Sequence, residues 1–266
     1  MKFKYLALPL MICSATVSAE EYTSISEANY SEAEKSFGDV DQFDIGTTYY
    51  FAPKETLGPL KEFEYINKTS NLFAGYSYFE YDGDDEDTLA VGGEYFASNG
   101  FVVGGSAADF GDNDLYTASV GYLFSPNFLL SLESVKWEDR DADYFVNASY
   151  NHQLSGNDYI GFSFSTDDNF DSRTLSSKFF KELGGETWFT ANASYTANDD
   201  FEDIWLVGTE YYFSKATSIF ANYNKEETLG LGVSHFFNRN IAGNIAYTTN
   251  SDTDVDTFLL GVTVQL

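Results

Sequence analysis

Gly261-Val262-Thr263-Val264-Gln265-Leu266 ends the chain. Side chains of a strand alternate between two faces, so Val262, Val264 and Leu266 share one side while Gly261, Thr263 and Gln265 share the other. The same layout, a glycine followed by apolar residues three and five places on, recurs at Gly46-Thr47-Thr48-Tyr49-Tyr50-Phe51, Gly208-Thr209-Glu210-Tyr211-Tyr212-Phe213 and Gly232-Val233-Ser234-His235-Phe236-Phe237. Each stops just before a short polar break. A strand that runs to the last residue needs a partner on both edges, and pairing it with the first strand of the same chain closes the sheet and leaves no edge. The expectation is one closed antiparallel sheet.

Working outward, stretches of about ten alternating residues followed by a break give sixteen strands, near 22–33, 41–51, 71–81, 88–96, 101–109, 114–124, 128–137, 143–154, 158–166, 172–181, 186–196, 204–213, 217–224, 228–237, 241–249 and 256–266. The breaks alternate in kind. Those at 34–40, 82–87, 110–113, 138–142, 167–171, 197–203, 225–227 and 250–255 hold 22 of the 42 acidic residues. Those at 97–100, 125–127, 155–157, 182–185, 214–216 and 238–240 are tight turns with a single acid, Glu182. Short turns on one side, longer loops on the other and an even strand count are the pattern of an outer-membrane barrel. The fold class expected is therefore all-β: a transmembrane antiparallel up-and-down β-barrel of 16 strands.

Composition agrees. The chain has 20 Tyr and 25 Phe but only 4 Pro, which suits strands. Residues 1–19 read as a signal peptide, with Lys2 and Lys4 before an apolar stretch and Val17-Ser18-Ala19 as the cleavage site, so the barrel domain is 20–266. Cys13, the single cysteine, lies in that leader, which leaves no thiol for a disulfide, metal or nucleophile. Removing Lys2 and Lys4 takes the formal charge from −28 to −30. So acidic a chain is a poor partner for nucleic acid.

The two faces of each strand differ in chemistry. Trp205, Val207, Thr209, Tyr211 and Phe213 stand against Leu206, Gly208, Glu210 and Tyr212. An apolar face with aromatics at its turn end is a lipid face, and a small or polar one is a lumen. This phase puts Asp44, Glu94, Lys178 and Glu210 in the lumen as pore-lining residues. It also makes Tyr49, Phe51, Tyr122, Phe124, Tyr211, Phe213 and Phe237 a periplasmic girdle.

The stretch Gly58-Pro59-Leu60-Lys61-Glu62-Phe63-Glu64-Tyr65-Ile66-Asn67-Lys68-Thr69-Ser70 is similar to one that follows the second strand in the general bacterial porin family of Gram-negative bacteria, and the whole mature chain resembles that family. The resemblance implies an outer-membrane location and contact with lipid and lipopolysaccharide. It also implies a C-terminal signal, Gly261, Val264 and Leu266, read by the barrel insertion machinery, with Leu266 where Phe is usual. Homo-oligomerisation is left open.

No catalytic set is legible. His152 and His235 each sit near the turn end of a strand on the expected lipid face, with no triad partner placed by spacing. The run 82–87 lacks the glycine and distal glutamate of an EF-hand, so it reads as a solvated loop, and neither a cofactor nor a metal is expected. A sixteen-strand barrel is too wide for side chains to fill. The expected function is passive diffusion of small hydrophilic solutes, with cations preferred, and the chain is not expected to be an enzyme. The rival is a non-conducting structural or adhesive barrel whose acidic loops are its working part. One break is anomalous: 52–70 is long, on the side where all other turns are short. Its Leu60, Phe63 and Ile66 recur at helical spacing after Pro59, so 58–66 is expected to form a short helix or compact turn against the inner wall or the periplasmic mouth, narrowing the pore. The alternative is that 63–66 begin the third strand early.

Overall fold

The computed structural model describes residues 20–34, 38–81, 83–111 and 113–266. The leader and Cys13 lie outside them. Sixteen strands follow one another without a described helix. They are β1 (Glu21–Glu34), β2 (Val40–Glu55), β3 (Asn71–Tyr81) and β4 (Asp84–Phe96). Next come β5 (Phe101–Asp109), β6 (Asp114–Ser125), β7 (Phe128–Trp137) and β8 (Asp143–Gln153). The third quarter is β9 (Tyr159–Asp167), β10 (Ser172–Gly184), β11 (Thr187–Asn198) and β12 (Ile204–Ser214). The last is β13 (Thr217–Asn224), β14 (Thr228–Phe236), β15 (Ile241–Asn250) and β16 (Val255–Gln265).

Each strand pairs with its sequence neighbours, and β1 pairs with β16 from Ile25 opposite Gln265 to Glu34 opposite Asp256, so the sheet is a closed barrel. At the seam the Leu266 carbonyl accepts the amides of Thr23 at 2.6 Å and Ser24 at 2.8 Å, and the Leu266 amide returns to the Ser24 carbonyl at 2.9 Å. The final residue thus completes the ring, and no strand edge is left to pair with another chain.

Burial follows the two-residue period, turned inside out. On β14 the outward Leu229, Leu231 and Val233 are exposed, whereas the inward Gly230, Ser234 and Phe236 are buried. On β16 Val262 and Leu266 are exposed and Gly261, Thr263 and Gln265 are buried. Among the described residues no helix is long and apolar enough to cross a membrane. A barrel crosses with strands, whose backbone groups are all paired.

Most strand ends lie within three residues of the sequence reading, and two differ by four, the start of β4 and the end of β2. β4 begins at Asp84, so most of the acidic run 82–87 is strand, paired residue for residue with β3 as far as Tyr81 opposite Asp84. Charge marks exposure to water, not the end of pairing, and this hairpin extends past the apolar band. β2 runs to Glu55, because the register shift between Tyr22 and Ser24 lets its end bulge before Lys54 pairs with Tyr22. Beyond it the chain turns inward. Residues 58–66 form a compact turn, not a helix: the Glu62 amide bonds the Pro59 carbonyl at 3.1 Å, the Leu57 amide bonds the Glu62 carbonyl at 2.8 Å, and Thr56 bridges Phe63. The third strand does not start early, since β3 begins at Asn71.

Candidate channel interior

The turn end of the barrel is spanned by this inner segment, and its side chains are met by fitted partners on the far wall. Gly58 lies on the Trp188 indole, where a Cβ would be 2.7 Å from ring atoms, and its φ of 142° is one that side chains rarely adopt. Pro59 and Leu60 are buried, and Leu60 packs on Phe236, Ala242 and Ala216 while its amide bonds the Lys215 carbonyl at 2.9 Å. Tyr65 lies over Gly161, stands 5.8 Å from the Tyr159 ring, and its hydroxyl shares a 2.6 Å hydrogen bond with Ser163. Tyr159 in turn stacks on Phe180 at 5.6 Å. Tyr159, Phe180, Trp188 and Tyr212 form a buried cluster against Leu57 and Tyr65, an apolar core inside a barrel whose other inward positions are mostly polar.

Charged contacts fix the same segment. Glu62, 5% exposed, accepts from the Tyr212 hydroxyl at 2.6 Å and from Lys178 at 2.7 Å. Burial of a carboxylate is tolerated only when it is paired and hydrogen-bonded in this way. Lys61 lies 2.6 Å from Glu210, which also accepts from Ser218 at 2.5 Å. On the near side Lys54 donates to Asn67 at 2.9 Å and faces Glu64 at 3.7 Å, and Glu64 also pairs with Lys68 at 2.6 Å.

The four residues expected in the lumen all face the interior. Asp44 accepts from Ser77 at 2.6 Å and from Gln42 at 3.0 Å. Glu94 accepts from Asn71 at 3.3 Å and from Asn67 at 3.4 Å. Lys178 and Glu210 hold Glu62 and Lys61. Three of the four therefore touch the inner segment. Lys54 and Lys61, which the strand phase did not place, stand in the interior beside Lys178. Lys61, Glu62 and Tyr65 escaped the sequence reading as functional groups. The signal available was their position in the one long break of the turn side.

The aromatic residues form repeating pairs on the outer face. Tyr49–Phe51, Tyr122–Phe124 and Tyr211–Phe213 meet edge to face with centroids 5.5, 4.9 and 4.9 Å apart, and His235–Phe237 does the same at 5.3 Å. All four sit two residues apart at the turn ends of β2, β6, β12 and β14. His152 is exposed on the same outer face beside Tyr150. The Gly261, Val264 and Leu266 positions lie on β16 and at its end, with Gly261 inward and Leu266 outward.

The geometry is thus a lipid-facing exterior around a polar interior partly crossed by its own chain. The fold is similar to that of the Acinetobacter baumannii outer membrane protein Omp33, at 16% identity over 94% of this chain and 100% of that one, with a TM-score of 0.60. It is also similar to a triple mutant of the Rhodopseudomonas blastica porin, at 11% identity over 91% of this chain and 99% of the other, with a TM-score of 0.53. At such identities the likeness is one of fold. No curated protein matches the sequence. The signature of the family described as "Putative general bacterial porin" matches residues 5–266. The chain therefore belongs to that family and is a porin of the bacterial outer membrane.

Proposed function

We propose that the protein is a passive diffusion channel for small hydrophilic solutes that prefers cations, and that the segment 56–70 narrows its periplasmic mouth. The observation that carries the reading is the imbalance of interior charge. Lys54, Lys61 and Lys178 each face a carboxylate. Glu27, Asp44, Glu94 and Glu133 have no ion-pair partner among the described residues. Fixed negative charge in a water-filled constriction raises the local concentration of cations and lowers that of anions. The acidic loops at the outer mouth act in the same sense, within the Debye length of about 8–10 Å at ordinary salt.

The depth of the inner segment favours a second reading, a barrel that does not conduct. Bilayer recording decides between them. Discrete single-channel steps are expected, with a reversal potential across a potassium chloride gradient displaced toward that of potassium, and more so in dilute salt. A chloride-like reversal potential refutes the selectivity. Absence of current from a correctly folded barrel refutes the channel.

A further inference from the structure

The pair Ala-Asn occurs at 191–192 and again at 221–222, on alternate strands of the wall formed by β11–β14. In each the alanine faces lipid and the asparagine faces the lumen. Asn192 stands opposite Gly208, Gly208 opposite Asn222, and Asn222 opposite Gly230, so amide and glycine alternate from strand to strand. Each amide lies in the space that a side chain on the next strand would fill. A Cβ at Gly208 would be 2.6 Å from the Asn192 Oδ1, and one at Gly230 would be 2.4 Å from the Asn222 Oδ1. Both amides therefore lean the same way round the barrel, down along the wall. Asn192 is exposed and Asn222 half-buried. Neither amide group has a hydrogen-bond partner in the protein among the described residues.

An aromatic ring adjoins the amides. Phe220 is the next inward residue after Asn222 toward the turn end, and it stands opposite Glu210 and Gly232. Its ring lies over Gly232, where a Cβ would be 2.3 Å from a ring carbon, so it too lies along the wall and leans onto β14. The ring is only half-buried, which leaves apolar surface facing a polar lumen. Toward the turn end the patch is bounded by Lys61 of the inner segment. That ammonium is 6.0 Å from the Phe220 ring centroid and is held 2.6 Å from Glu210. A solute entering from the loop end therefore meets the two amides and the ring directly before the narrowing.

We propose that Asn192, Asn222 and Phe220 form a binding site for linked pyranose sugars. A pyranose carries hydroxyls round its edge and C–H groups on its faces. Each hydroxyl donates and accepts, and a primary amide offers two donors and an acceptor to match. One sugar ring lays its C–H face on Phe220, which removes apolar surface from water, and its hydroxyls meet the Asn222 amide. Asn192 is two strand spacings away, roughly 9–10 Å, a span that a second, linked ring covers and a single ring does not. A polyether only accepts, so it leaves both amide oxygens without a donor. The inference rests on the reading of the lumen as a path for small hydrophilic solutes and names one class of them.

Two measurements test it. The first is single-channel current in potassium chloride with maltose added, against glucose and against a polyethylene glycol of matched mass. The second is saturation-transfer nuclear magnetic resonance of the same three compounds with the folded protein in neutral detergent, which works whether or not the barrel conducts. Maltose is expected to interrupt the current and to bind saturably, glucose to bind more weakly, and the polyether to do neither. Ring C–H protons of maltose receive the most saturation. Asn192→Ser is expected to weaken maltose roughly threefold to tenfold, to the level of glucose, for the loss of one hydrogen bond. Phe220→Leu keeps apolar bulk over Gly232 but offers no flat face, and it lowers the saturation of the C–H protons. Both variants are read in barrels that keep heat-modifiable mobility. Potassium steps with no transfer to maltose overturn the site and leave the channel standing. Transfer to maltose without current leaves the site and overturns the channel. Equal binding of maltose and polyether, or unaltered maltose binding in both variants, also overturns the site.

Discussion

The ring of Tyr65 occupies the space that a side chain at Gly161 would need: a Cβ there would stand 2.5 Å from two ring carbons. The inner segment and the β9 wall are therefore shaped for each other, and the absence of one side chain on the wall admits one large side chain from the segment. Gly161→Val is expected to lift Tyr65 from Ser163 and loosen the segment without disturbing β9, whose residue 161 is in ordinary strand conformation. Conductance rises and protease cuts near 58–66 in the folded barrel. Deleting 56–66 raises conductance further. Unchanged conductance in both would show that the segment does not set the width of the path.

Glu62 joins the segment to two strands at once, through Tyr212 and Lys178. Glu62→Gln keeps a side chain that can accept the tyrosine hydroxyl but removes the charge opposite Lys178. Lys178 is a third exposed and regains water, so the loss is expected at the low end of the range for a broken charged hydrogen bond, about 1–2 kcal/mol. Urea unfolding in detergent measures it. With Lys178→Met added, the two losses are less than additive, because the second substitution removes a group already unpaired.

The outer face gives a depth series. Leu231 lies mid-strand on β14 and is exposed, and Phe213 lies at the turn end of β12. Leu231→Arg is expected to destabilise the barrel in lipid by about 2–4 kcal/mol and Phe213→Arg by about 0–1 kcal/mol. Equal losses would place the apolar band elsewhere.

The seam depends on one residue. Removing Leu266 withdraws the carbonyl that receives the Thr23 and Ser24 amides. The truncated chain is expected to give less folded, heat-modifiable barrel than Leu266→Phe, which keeps the backbone bonds and an apolar outward side chain. Gel mobility with and without boiling compares them.

The barrel is legible in the sequence because a two-residue period states which face each side chain takes, and the alternation of turns and acidic loops states the parity of each strand. That phase also points Asp44, Glu94, Lys178 and Glu210 inward. It cannot say what stands opposite them. Ser163 and Tyr212 are separated from their partners Tyr65 and Glu62 by 98 and 150 residues, and contact at that distance leaves no local periodicity. Gly161 reads as one more small inward residue until the ring above it is seen. At 58–66 the helical spacing of Leu60, Phe63 and Ile66 was a coincidence of short length. Pro59 accepts the Glu62 amide and opens a tight turn instead, which is equally compatible with its fixed φ.

A ring of strands joined edge to edge is a hoop: stiff along its circumference, soft against flattening. The inner segment leaves this hoop between β2 and β3 and fastens to β9–β12, about half the circumference away. It is therefore a spoke, bolted at Gly58, Glu62 and Tyr65. One diameter of the lumen is held by this spoke, while a quarter-turn away the wall is held on the β14–β15 side, where Leu60 packs on Phe236 and Ala242. The opening is thus braced unevenly around its circumference.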